Sequence, residues 1–182
     1  MRRSIEPLLP HAPRCRVRTA VLAAVLAAMA LVARGAHAVE VGEAAPPVVL
    51  PGRDAEVSVA ALKGKVVFLD FWASWCVPCR QSFPWMNQMQ AKYGPRGLQV
   101  LAINLDTKRS EADAFLSQVP ARFAIGFDER GESPTRYGVR GMPTSVLIGA
   151  DGVVLLQHAG FRDADKPTLE AAIVAALGKI RR

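Results

Sequence analysis

The run Val66-Val67-Phe68-Leu69-Asp70-Phe71-Trp72 constrains this chain more than any other stretch of it. It shows no polar alternation, and only Asp70 interrupts its apolar character. A strand with one wet face alternates, whereas a strand covered on both faces reads as a continuous apolar run. Its length and β-branched start therefore predict a central strand buried between two layers.

The flanking patterns supply the neighbours such a strand needs. Val57 and Val59 alternate ahead of a Lys63-Gly64-Lys65 turn. From Cys76 the period turns helical, with Phe83, Met86, Met89 and Tyr93 three to four apart until Gly94-Pro95. Residues 98–105 form a second apolar strand candidate. Ser110 is placed to cap a helix with the stripe Ala114, Phe115 and Val119, stopped by Pro120. A short strand over 123–127 and a helical turn over 133–137 follow. Strands at 145–148 and 153–157 flank Gly149-Ala150-Asp151-Gly152, a hairpin signal. An Ala- and Leu-rich helix over 166–177 closes the chain, with Gly178 expected at its C-cap. The order implies an α/β fold: a central mixed β-sheet flanked by helices, parallel first and antiparallel at the end.

The charge is unevenly distributed. Residues 1–38 carry six Arg against Glu6 alone, whereas the remainder is nearly balanced, so the net +7 is an N-terminal feature. It does not indicate nucleic-acid binding. Arg14, Arg16 and Arg18 precede an uncharged apolar run over 19–33, and Ala36-His37-Ala38 supplies a small-x-small site. Residues 1–38 are therefore read as an export signal cleaved before Val39, with retention as a membrane anchor as the second reading. Residues 39–182 form the folded domain, and Cys15 leaves with the signal.

Two cysteines then remain, in Cys76-Val77-Pro78-Cys79. A disulfide closing so short a loop removes little chain entropy, which argues for a chemical use over a structural staple. With Cys76 at the start of a helix, unpaired N–H groups and the positive end of the dipole stabilise a thiolate. A free thiol near pKa 8.5 is only about 3% ionised at pH 7, and one near 7 about half. Cys76 would attack a substrate disulfide and Cys79 would resolve the mixed disulfide. Structural zinc needs four ligands, and His158, on an expected strand, is the remaining candidate after the two cysteines. No partner for His158 is implied, and strand or surface packing is expected of it.

The segment from Phe68 to Cys79 closely resembles the active-site segment of thioredoxins, and the exported TlpA/ResA-like branch fits better still. Gly42-x-x-Ala45-Pro46, Leu62-x-Gly64-Lys65-Val66-Val67 and Arg140-Gly141-Met142-Pro143-Thr144 resemble that branch's other conserved segments. The helix and strand between residues 110 and 127 resemble its central strand–helix insertion. The resemblance implies a thioredoxin-like fold and a thiol–disulfide oxidoreductase with a redox-active Cys76–Cys79 pair and no cofactor. It implies that Asp70 is a buried acid that moves the Cys79 proton, and that Met142-Pro143 is a cis-proline loop beside the cysteines. Trp75 is then a wall of the substrate groove, Trp72 a core residue, and Pro84 a kink in the helix. Met142 would pair its backbone with an extended substrate segment.

The implied role is a periplasmic reductant of disulfides in selected envelope proteins, recharged by a membrane electron donor. Apocytochrome c and copper-centre assembly proteins are candidate targets. Cytochrome c maturation members usually carry Glu after the proline, however, and here Thr144-Ser145 follows Pro143. Three other readings compete with this one. A peroxidase needs P-x-x-x-T-x-x-C, but Leu69 and Ala73 stand at the Pro and Thr positions. A Cu(I) carrier would use the same two cysteines, and a general oxidase would keep them oxidised.

Overall fold

The computed structural model describes residues 38–180. The export-signal reading, Cys15, His37 and the Arg181-Arg182 end fall outside those residues. Short strands β1 (Val49–Leu50) and β2 (Val57–Ser58) pair antiparallel ahead of the main sheet. Then come β3 (Val66–Trp72), α1 (Val77–Tyr93), β4 (Leu98–Asn104), α2 (Arg109–Gln118) and β5 (Ala124–Phe127). The chain ends with α3 (Glu132–Arg136), β6 (Thr144–Ile148), β7 (Val154–Ala159) and α4 (Lys166–Ile180). Among the described residues, no helix is long and apolar enough to cross a membrane.

All seven residues of β3 are buried, because β3 is the middle strand of the order β5-β4-β3-β6-β7. It runs parallel to β4 and antiparallel to β6, so the mixed sheet is parallel on one side and antiparallel on the other. Its two faces enter two different cores. Val66, Phe68 and Trp72 pack with residues of α1, α2 and α4. Val67, Leu69 and Phe71 pack with Val39, Val48, Val59 and Tyr137, contributed by the N-terminal lead-in and the end of α3. Helices thus cover one face fully, and the lead-in does much of that work on the other.

Aromatic packing fixes α1 on the first face. Phe83 makes edge-on contacts with Trp72 (4.9 Å between centroids), Phe115 (5.1 Å) and Phe123 (5.3 Å). Such pairs add about 0.5–1.5 kcal/mol each beyond the area they bury. Met86 and Met89 are buried in the same cluster, as their helical spacing predicts. Pro84 lies inside α1.

Three local expectations are corrected. Ser110 is not the cap of α2: Lys108 is the extended residue before the helix and Ser110 lies in its first turn. Arg109 is drawn into the helix because its guanidinium sits 3.6 Å from the Phe127 ring centroid and pairs with Asp113 one turn on. The buried stripe of α2 is Ala112 and Phe115, while Ala114 is exposed. Gly178 does not end α4, which continues to Ile180. Ile180 packs near Gly97, close enough that a Cβ there would meet its Cδ1 at 3.3 Å, and that contact rewards the extra helical residues.

Candidate active site

Four residues separate β3 from α1, and they carry the chain to the end of the sheet. Ligands and reacting groups in open α/β sheets collect there, beyond the carboxyl ends of parallel strands. Cys76 is the N-cap of α1, extended at φ −80° and ψ 102°. Its Sγ accepts the Cys79 backbone N–H at 3.3 Å, a cap made by sulfur. Pro78 occupies the first turn, where its missing N–H costs no helical bond. The two sulfurs are joined in a disulfide, with the Cα atoms 5.3 Å apart.

Cys79 is fully enclosed and Cys76 retains 3% of its surface, so any partner thiol reaches Cys76 first. On reduction, the helix N-terminus would hold negative charge at Cys76. Cys79 is enclosed in the cluster that also holds Trp72, Phe83 and Trp85.

A second carboxylate organises the loop before Cys76. Asp106, buried at the end of β4, accepts the Ser74 N–H at 2.9 Å and the Ser74 hydroxyl at 3.1 Å. It also accepts the Asn104 side-chain amide at 2.8 Å. The Leu105 N–H donates to the Trp72 carbonyl at 2.9 Å, closing the same junction. Sequence reasoning passed over Ser74, Asn104 and Asp106. The available signal was Asn104-x-Asp106, two polar groups directly after an apolar strand.

Asp70 is wholly buried in β3, on the face shared with Phe68 and Trp72. Burial pushes its carboxyl up to about 7, and one hydrogen bond from Ser145 pulls the other way. Ser145 Oγ donates to Asp70 Oδ1 at 2.7 Å, while Oδ2 has no hydrogen-bond partner. Ser145, directly across from Asp70 in β6, was also missed.

The Met142–Pro143 bond is cis. Phe71 pairs with Thr144, so Pro143 and Met142 lie just ahead of the start of β6, at the end of the sheet where β3 leads to the cysteines. Thr144 Oγ1 donates to the Gly141 carbonyl at 2.7 Å, and Gly160 N–H to the Pro143 carbonyl at 2.7 Å. Pro143 is buried and Met142 half-buried against the cluster that contains both cysteines. The two tryptophans differ: Trp72 is fully buried, whereas Trp75 is 70% exposed beside Val77 at 69%. His158 lies on edge strand β7, with Nε2 3.3 Å from Asp165 Oδ2.

A five-stranded mixed sheet with a disulfide at the start of its first long helix and a cis-proline loop alongside defines a thioredoxin-fold redox protein. The sequence pattern of the Redoxin family matches residues 40–173, and the chain belongs to that family. It is 35% identical over 122 residues to thiol-disulfide oxidoreductase ResA of Bacillus thuringiensis subsp. konkukian, covering 66% of this chain and 70% of the relative. ResA of Geobacillus kaustophilus is 33% identical over 147 residues, covering 78% and 84%. A crystal structure from Chlorobium tepidum, of a protein assigned as thiol:disulfide interchange protein DsbE, superposes with a TM-score of 0.76 at 59% identity. That match covers 78% of this chain and all of the other. The activity that follows is thiol–disulfide oxidoreduction, in the TlpA/ResA-like branch of the thioredoxin superfamily.

Proposed function

We propose that this oxidoreductase is a periplasmic reductant of disulfides in selected envelope proteins. The observation that carries the proposal is a capped Cys76 together with Asp70, a carboxyl raised to about 7 and buried on the sheet face that packs into the cluster holding Cys79. In the reduced enzyme the Cys76 thiolate attacks one sulfur of a target disulfide and the other sulfur leaves. Cys79 then gives its proton to the Asp70 carboxylate and attacks Cys76 Sγ. The target departs as a pair of thiolates that take up two protons from solvent, and the Cys76–Cys79 disulfide holds the two oxidising equivalents. A membrane electron donor returns the electrons. A carboxyl that titrates near neutrality is suited to both taking and returning that proton.

Trp75, Val77 and Met142 supply the surface for the target, with Pro143 setting the Met142 backbone alongside an extended segment. Export is supported by the Arg-flanked apolar run and the Ala36-His37-Ala38 site. Apocytochrome c and copper-centre assembly proteins are the target classes to test first.

The test is Cys79→Ser in the intact envelope. Mixed disulfides should accumulate through Cys76, and identifying them names targets and donor together. A folded Cys79→Ser protein that traps nothing would overturn the mechanism. Trapped partners that are all cytoplasmic would overturn the location.

A further inference from the structure

Asp70, Ser145 and His158 stand directly opposite one another on three adjacent strands. Asp70 of β3 pairs with Ser145 of β6, and Ser145 pairs with His158 of β7. Directly opposed residues project to the same face with Cβ atoms about 5 Å apart. The three side chains therefore form one polar row, running from the centre of the sheet to its edge. The row two residues away is apolar: Phe68, Leu147 and Leu156 belong to or pack against the helix-covered core. A polar row through such a core is costly unless its members serve one another.

One link is closed, the 2.7 Å bond from Ser145 Oγ to Asp70 Oδ1. The two ends of the row differ: Asp70 Oδ2 is buried without a hydrogen bond, whereas His158 Nε2 is buried against the Asp165 carboxylate. At the outer end, the His158 side chain is 27% exposed and its Nε2 faces Asp165 Oδ2 at 3.3 Å. Asp165 is itself held by the Arg162 N–H at 2.9 Å and guanidinium at 3.4 Å. Lys166 on the same turn is engaged by Asp163 at 2.6 Å. The charged groups around the imidazole are thus Asp165 with Arg162 on one side and Asp70, through Ser145, on the other.

We propose that His158 is the solvent-side end of a proton relay that serves Asp70 through the Ser145 hydroxyl. The proposal rests on the reading that Asp70 takes the Cys79 proton. His158 never meets substrate and acts only through Asp70. Once Asp70 holds that proton, the Ser145 hydroxyl turns toward the ring. The acid proton passes to Ser145 Oγ while Ser145's own proton passes to the neutral imidazole. The imidazolium, facing the Asp165 carboxylate, releases one proton to water. No electrons move, and Ser145 finishes as a donor to the Asp70 carboxylate, the arrangement observed. Imidazole is the side chain suited to exchanging protons with water near neutral pH.

The test is single-turnover oxidation of the reduced protein by a disulfide peptide, followed by tryptophan fluorescence at low buffer concentration and repeated with added imidazole. His158→Gln should slow disulfide closure about tenfold, and free imidazole should restore the rate. Ser145→Ala should show the deficit without rescue, and Ser145→Thr, which keeps the hydroxyl, should recover most of the rate. A slow Asp70→Asn variant alongside a His158→Gln variant at the wild-type rate overturns the relay and leaves the Asp70 role standing. An Asp70→Asn variant at the wild-type rate overturns both. Slow His158→Gln closure indifferent to imidazole reduces His158 to a packing residue and overturns the relay.

Discussion

Ser145 Oγ donates to Asp70 Oδ1 at 2.7 Å from the neighbouring antiparallel strand, and the second oxygen of that carboxyl meets no donor. One hydrogen bond does not offset full burial, so the carboxyl rises from 3.8 to about 7. Below 3.8 it is protonated in both folded and unfolded chains and costs nothing. Between 3.8 and about 7 the unfolded chain releases the proton while the folded one keeps it, so stability falls as pH rises. The full loss, reached above 7, is roughly 4 kcal/mol. Asp70→Asn should therefore be more stable than wild type at pH 8, with the gap closing toward pH 4. Urea unfolding of the oxidised proteins measures this, and a gap independent of pH would contradict it.

Removing the hydroxyl has the opposite sign. The Ser145 bond favours the ionised carboxyl, so Ser145→Ala should move the Asp70 titration upward. It should also cost about 1–2 kcal/mol, since a buried acceptor loses its partner. Carboxyl carbon shifts in an NMR pH titration would report the move, and an unchanged or lower midpoint would refute it.

Asp106 holds the loop that presents Cys76. Asp106→Ala strands the Ser74 N–H and the Asn104 amide in a buried place, which should cost about 2–4 kcal/mol. Asp106→Asn, which still has an acceptor oxygen, should lose less. Urea midpoints give the stability, and the alkylation rate of reduced Cys76 gives the effect on the loop. Two variants that alkylate at the wild-type rate would limit Asp106 to stability.

Trp72 and Trp75 are three residues apart and should behave differently. Trp75→Ala removes an exposed ring and should change stability by no more than about 0.5 kcal/mol. It should raise KM for protein disulfides and leave reduction by a small dithiol unchanged. Trp72→Ala empties the centre of the aromatic cluster and should cost about 3–5 kcal/mol. Equal effects of Trp75→Ala on small and protein substrates would place the ring outside the target groove.

The elements that matched expectation are those whose pattern is set by neighbours along the chain. Residues 66–72 read as a doubly covered strand because no position alternates, and β3 has those bounds. The start of α1 followed from the change of period at Cys76, and its end from Gly94-Pro95. Ser110 and Gly178 misled because a local cap preference of about 1 kcal/mol is smaller than a tertiary contact. The stacking of Arg109 on Phe127 and the packing of Ile180 at Gly97 outweighed them.

By itself, the sequence determined the strand that must be central, the cysteine pair at a helix start, and the acid six residues before it. Those are facts of spacing and period along one segment. Only the tertiary structure decided what that acid meets. Ser145 lies 75 positions further along the chain, and His158 lies beyond it on an edge strand. Asp106 reaches Ser74 across 32 positions because β4 runs parallel to β3 and ends beside it. Strand register brings such partners together, and register depends on which faces are buried when the whole sheet assembles.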